Sequence, residues 1–151
     1  MKMQISLENK VAVITGGGGG IGRAIAGKLA CENMTIVLIG GNNLAKLTET
    51  RQIVEQFSSC HLFPGDLSDL DFVSRAVAEA GELCGGIDVL INNAGVAQST
   101  RFEEISVEEY DRIMTINTKV PFFLTQYALP FLKRSTTPAV INIASVVAHA
   151  G

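Results

Sequence analysis

Short apolar runs alternate with longer amphipathic stretches along the chain. Val11-Ala12-Val13-Ile14 is continuous and β-branched, which predicts a strand buried on both faces. Ile21 to Glu32 carries apolar residues at helical spacing (Ile21, Ile25, Leu29), with Asn33 a candidate C-terminal cap. Thr35–Ile39 predicts a second strand. Leu44 to Phe57 predicts a helix with Leu44, Leu47, Ile53, Val54 and Phe57 as core candidates. Cys60–Phe63 predicts a third strand, and Ser68 is placed to cap a helix running to about Leu83. Ile87–Ile91 predicts a fourth strand. Ser106 and Glu109 form a capping box for a long helix to about Lys133, with Pro121 a kink or local adjustment inside it. Ala139–Ile143 predicts a fifth strand.

Strand and helix alternate through five strands, which predicts an α/β fold: a Rossmann-type, doubly wound parallel sheet in the order 3-2-1-4-5. The chain has 151 residues. That length suits one domain, over residues 1–151, and can bury about 70% of its unfolded surface. With 47% hydrophobic residues the chain is too apolar for disorder. The net charge of −3 argues against nucleic acid as the main partner, since phosphate backbones call for a basic patch. No apolar run reaches the roughly 18 residues of a membrane span, and the first residues lack a secretory pattern. Cys31, Cys60 and Cys84 show no CxxC spacing and read as reduced core thiols of a cytoplasmic protein, with no metal site.

Five consecutive glycines, Gly16 to Gly20, join the first strand to the first helix. A helix N-terminus offers unpaired N–H groups and partial positive charge, and glycine lets a pyrophosphate come close to them. Two registers fit: Gly17, Gly19 and Gly22 as GxGxxG, or Gly16, Gly20 and Gly22 as GxxxGxG. The plainer reading is a turn that permits tight helix–strand packing. No Gly-Lys-[Ser/Thr] follows, which excludes a P-loop. Asn92-Asn93-Ala94-Gly95 follows the fourth strand and Asp66-Leu67 the third. Both fall at the strand ends where such sheets bind ligands. Ordinary turns would use the same residue types.

Thr15-Gly16-x-x-x-Gly20-Ile21-Gly22, Asp66-Leu67, Asn92-Asn93-Ala94-Gly95, Asn117 and Ser145 together resemble the short-chain dehydrogenase/reductase family, over essentially the whole chain. The resemblance selects the Gly16, Gly20, Gly22 register. It implies an NAD(P)-dependent oxidoreductase that moves a hydride between the nicotinamide cofactor and an alcohol or carbonyl substrate. It implies that Gly16, Gly18, Gly19, Gly20, Ile21 and Gly22 hold the pyrophosphate and adenosine ribose. Asp66 would bond the adenine amino group, with Leu67 beside it. Asn93, Ala94 and Gly95 would line the ribose and ring region, while Asn92 braces the strands. Asn117 would kink the long helix and anchor a water of the proton relay. Ser145 would bond the reacting oxygen. A homo-dimer or homo-tetramer is implied for the full-length protein.

The family's general acid/base, a Tyr followed four positions later by Lys, has no counterpart here. Tyr110 is followed by Met114 and Tyr127 by Phe131, and His149 reads as an exposed loop residue. The expectation is therefore an N-terminal portion of a longer enzyme, inactive as 151 residues alone. The alternative is a catalytically incomplete nucleotide-binding or interaction protein. After the second strand, Gly40, Gly41 and Asn42 carry neither the acid that selects NAD nor the Arg that accommodates the NADP phosphate. With no carboxylate to repel a phosphate, the reading leans slightly to NADP. The substrate is not legible.

Overall fold

The structure is a computed structural model and describes residues 6–145. In chain order the strands are β1 (Val11–Thr15), β2 (Thr35–Ile39), β3 (Cys60–Phe63), β4 (Val89–Asn92) and β5 (Ala139–Asn142). The helices are α1 (Gly20–Ala30), α2 (Leu44–Val54), α3 (Leu70–Leu83), α4 (Val107–Met114) and α5 (Val120–Leu132). All five strands are parallel, in the order β3-β2-β1-β4-β5, as the alternation predicts.

Alternate residues of each strand point to opposite faces, and both faces are buried over β1, β2 and β4, while β5 is exposed. Val11, Val13, Val37, Ile39 and Leu90 pack under α3 and α5, with Val73, Val77, Leu124 and Phe131. Ala12, Ile14, Ile36, Leu38 and Ile91 pack under α1 and α2, with Ala26, Ala30, Leu47 and Val54. The continuous apolar runs are thus two half-cores interleaved. Asn33 takes the left-handed conformation (φ 61°) in the turn that closes α1.

Several expectations are corrected. Ser68 does not cap α3; Asp69 does, accepting from the N–H groups of Asp71 and Phe72, while the Ser68 N–H donates to Asp66 Oδ1. Leu44 and Phe57 are more than half exposed and Ile53 is at the surface. The inward stripe of α2 is instead Leu47, Thr50 and Val54. The long helix runs unbroken, and the local adjustment expected at Pro121 takes the form of a π-turn at Thr115–Lys119, between α4 ending at Met114 and α5 in which Pro121 is the second residue. Of the capping box, Ser106 Oγ accepts from the Glu109 N–H at 3.1 Å. Cys31 is exposed and Cys84 half-buried, so only Cys60 is a buried thiol. Burial pushes the Cys60 thiol up to about 12 and raises Cys84 as well. Below β1, Asp88 is held below its ordinary value despite burial. It accepts from Ser135, the Val11 N–H and Lys10.

Candidate nucleotide-binding cleft

The strand ends β1, β3 and β4 open into a cleft of about 750 Å³. Gly16, Gly19, Gly20, Ile21 and Gly22 form one wall, Gly41, Asn42, Asp66 and Leu67 another, and Asn93, Ala94 and Gly95 the floor. The turn is held from below by Thr15 and Asn93. Buried Thr15 Oγ1 accepts from the N–H groups of Asn93 (3.1 Å) and Ala94 (3.0 Å). Asn93 Nδ2 donates to the carbonyls of Thr15 (2.9 Å) and Gly16 (3.2 Å).

At Gly22 the turn admits no side chain. A Cβ there would lie 2.4 Å from the Gly16 oxygen and 2.7 Å from Asn93 Nδ2. Gly19 caps α1 without a side chain, and the first turn of α1 carries no acid. The unpaired N–H groups of that turn therefore face the cleft with their partial positive charge uncompensated. The residues present fit a dinucleotide pyrophosphate: a bare turn, exposed donors, and a floor of small side chains.

Two predicted cofactor residues lie off the cleft. Gly18 faces α2, where a Cβ would meet that of Lys46 at 3.2 Å. Gly40 is buried with φ +86°, and a Cβ there would lie 2.4 Å from Leu67 Cγ. Position 40 therefore has no room for an acid. Gly41 pairs with Gly65 in an isolated antiparallel bridge, which leaves Asn42 as the side chain presented at this corner.

A second, larger cleft of about 1460 Å³ adjoins the first and shares Ile21, Asn93, Ala94 and Gly95 with it. Asn117 and Ser145 line this one. Asn117 sits in the π-turn and makes a two-way bond with the loop after β4. Its Oδ1 accepts from the Val96 N–H at 2.9 Å, and its Nδ2 donates to the Val96 carbonyl at 2.8 Å. Buried Asn92 ties β4 to β5 and α5, donating to Asn142 Oδ1 (2.8 Å) and Thr125 Oγ1 (3.3 Å). Ser145, at the end of the described residues, is exposed just past β5. His149 and Gly151 lie outside the described residues. Arg112 and Ile116 also line the first cleft, and sequence reasoning missed both. They are spaced one helical turn apart, a signal that becomes readable only once the cleft side of α4 is known. Among the described residues no cluster of His, Cys, Asp and Glu could hold a metal ion, and no helix is long and apolar enough to cross a membrane.

The chain belongs to the short chain dehydrogenase family, whose sequence profile matches residues 10–151. It is 31% identical over 150 residues to the 3-oxoacyl-[acyl-carrier-protein] reductase FabG of Aquifex aeolicus, covering 99% of this chain and 60% of that protein. The NADH-dependent reductase A1-R′, crystallised with NAD, superposes with a TM-score of 0.88 at 33% identity, covering 96% of this chain and 63% of that one. A metagenomic short-chain oxidoreductase in complex with NADP gives 0.86 at 31% identity, covering 94% and 65%. The chain spans between 51% and 60% of the first two curated relatives it matches.

Proposed function

We propose that the whole protein is an NAD(P)-dependent oxidoreductase of alcohol–carbonyl pairs and that residues 1–151 form its dinucleotide-binding domain. The observation that carries this reading is the continuity of the two clefts. With a pyrophosphate at the bare turn of α1, Asn93–Gly95, which both clefts share, would hold the nicotinamide end beside the space lined by Asn117 and Ser145. The bound cofactor supplies or accepts the hydride. The chain's own residues do the rest. Gly20 and Ile21 bind the pyrophosphate through N–H groups, and Gly16 and Gly22 leave it room. Asp66 accepts from the adenine amino group, and Leu67 packs beside the ring. Asn117 fixes the loop at Val96 and, through it, the edge of the ring site. The Ser145 hydroxyl bonds the oxygen that gains or loses charge. Proton transfer belongs to a Tyr and a Lys, for which residues 1–151 contain no Tyr-x-x-x-Lys pattern.

The corner at Gly40–Asn42 supports NADP slightly over NAD, because no carboxylate stands there to repel a 2′-phosphate. A homo-oligomeric, cytoplasmic, small-molecule enzyme is the setting proposed for the whole protein, in keeping with its family. The alternative reading is a nucleotide-binding or interaction protein without turnover. NAD(P)H-dependent reduction of a carbonyl panel by the natural protein tests both. Turnover supports the enzyme. Dinucleotide binding without turnover supports the second reading, and the absence of both contradicts each.

A further inference from the structure

Five successive glycines lose more backbone freedom on ordering than any other run of five residues, so a turn built from them needs outside restraint to hold one shape. Asn93 restrains its front, at the Gly16 carbonyl. Its back is restrained from α2. Thr50 is fully buried, and its Oγ1 lies 2.8 Å from the Gly17 carbonyl and 3.2 Å from the Lys46 carbonyl. A hydroxyl has one proton, and the shorter contact assigns it to Gly17. Arg23 Nε donates to the same Oγ1 at 3.1 Å, while its Nη2 reaches the Gly18 carbonyl at 3.4 Å and Glu49 Oε2 at 2.7 Å. A relay Glu49–Arg23–Thr50 thus ends on the carbonyl side of the turn whose N–H side faces the cleft. Thr50 occupies an inward position of α2 between Leu47 and Val54.

We propose that Thr50, oriented by Arg23, is a positioning residue for dinucleotide binding: it holds the glycine turn in its binding shape from behind without touching the ligand. The inference rests on the nucleotide reading of the cleft. Thr50→Val keeps the shape of the side chain and removes the hydroxyl, leaving the Gly17 carbonyl without that donor and Arg23 Nε without that acceptor. In the whole protein, NADPH and NADH titrations by fluorescence should show binding about five- to tenfold weaker in Thr50→Val, the size expected for losing the bond that reaches the turn at Gly17. Thr50→Ser, which keeps the hydroxyl, should bind within about twofold of the natural protein. Val54→Ala, one turn along the same buried stripe, should lower the melting temperature yet leave affinity alone. With no dinucleotide present, the Gly19 amide should exchange its hydrogen faster in Thr50→Val than in the natural protein or in Thr50→Ser. Equal affinity in Thr50→Val and the natural protein overturns the positioning role. So does a loss in Val54→Ala as large as in Thr50→Val. If the natural protein binds neither dinucleotide, the nucleotide reading falls, and the exchange measurement alone decides whether Thr50 holds the turn.

Discussion

Gly22→Ala and Gly20→Ala separate what the glycine turn does for folding from what it does for a ligand. A methyl carbon at position 22 would lie 2.4 Å from the Gly16 carbonyl oxygen, and neither that backbone nor Asn93 is a flexible side-chain end that can swing aside. Forced overpacking of this kind costs about 1–3 kcal/mol. At roughly 2–4 °C per kcal/mol for a chain of this size, the melting temperature should fall by roughly 2–12 °C. Displacing Gly16 also displaces the wall of the cleft, so NAD(P)H affinity should fall at least about tenfold. At Gly20 a Cβ meets nothing within 4 Å and the residue opens α1. Alanine there should leave stability unchanged or raise it by about 0.4–1 kcal/mol, because it restricts the unfolded chain. The added methyl group nevertheless enters the space assigned to the pyrophosphate, so affinity should fall here too. Thermal melts and fluorescence titrations of both variants of the whole protein check this. Gly22→Ala at native stability, or Gly20→Ala with native affinity, would refute the geometry.

Ser145→Ala should lower turnover of the whole protein by roughly a hundredfold or more while dinucleotide affinity stays within about twofold; native turnover removes Ser145 from the reaction. Asn117→Ala deletes both bonds to Val96 and should destabilise by about 1–2 kcal/mol, with faster amide exchange at Val96; unchanged exchange there would mean that the loop does not depend on Asn117. Asn42→Arg should raise the preference for NADPH over NADH at least about fivefold, since Arg suits a 2′-phosphate; an unchanged ratio of kcat/KM moves the phosphate away from this corner. Asp88 has a folded-state pKa below its unfolded one, so its stabilisation is fully present above about pH 4 and is lost as pH falls through the folded value. The stability advantage of the natural protein over Asp88→Asn in denaturant melts should therefore be present at pH 7 and shrink below about pH 4, and a gap independent of pH would contradict the assignment.

The sheet was legible because β-branched runs such as Val11–Ile14 and Thr35–Ile39 leave little choice of structure or burial. The glycine turn was legible because five glycines between a buried strand and a helix have few structural explanations. Solvent-facing details were harder to read. Leu44 and Phe57 look like core by composition, yet α2 packs through one narrow stripe and leaves them outside. Cys31 caps the C-terminal end of α1 and is exposed there. Ser68 and Asp69 are both good caps, and only the path of the chain after β3 selects Asp69. The π-turn at Thr115–Lys119 has no hydrophobic signature, so Asn117 could be singled out through family resemblance and not through pattern. Thr50 and Gly40 show the limit from the other side. A buried polar residue and a glycine with no room for a side chain look ordinary until Gly17 and Leu67 are placed against them.

The central claim is that the bare turn of α1 is a pyrophosphate site continuous with a ring site at Asn93–Gly95. A crystal structure of the whole protein grown with saturating NADP or NAD tests it most directly. The account predicts pyrophosphate oxygens within hydrogen-bond distance of the Gly20 and Ile21 N–H groups, adenine beside Asp66 and Leu67, and the nicotinamide end facing Ser145. A dinucleotide bound elsewhere, or an empty cleft at saturating ligand, would contradict it.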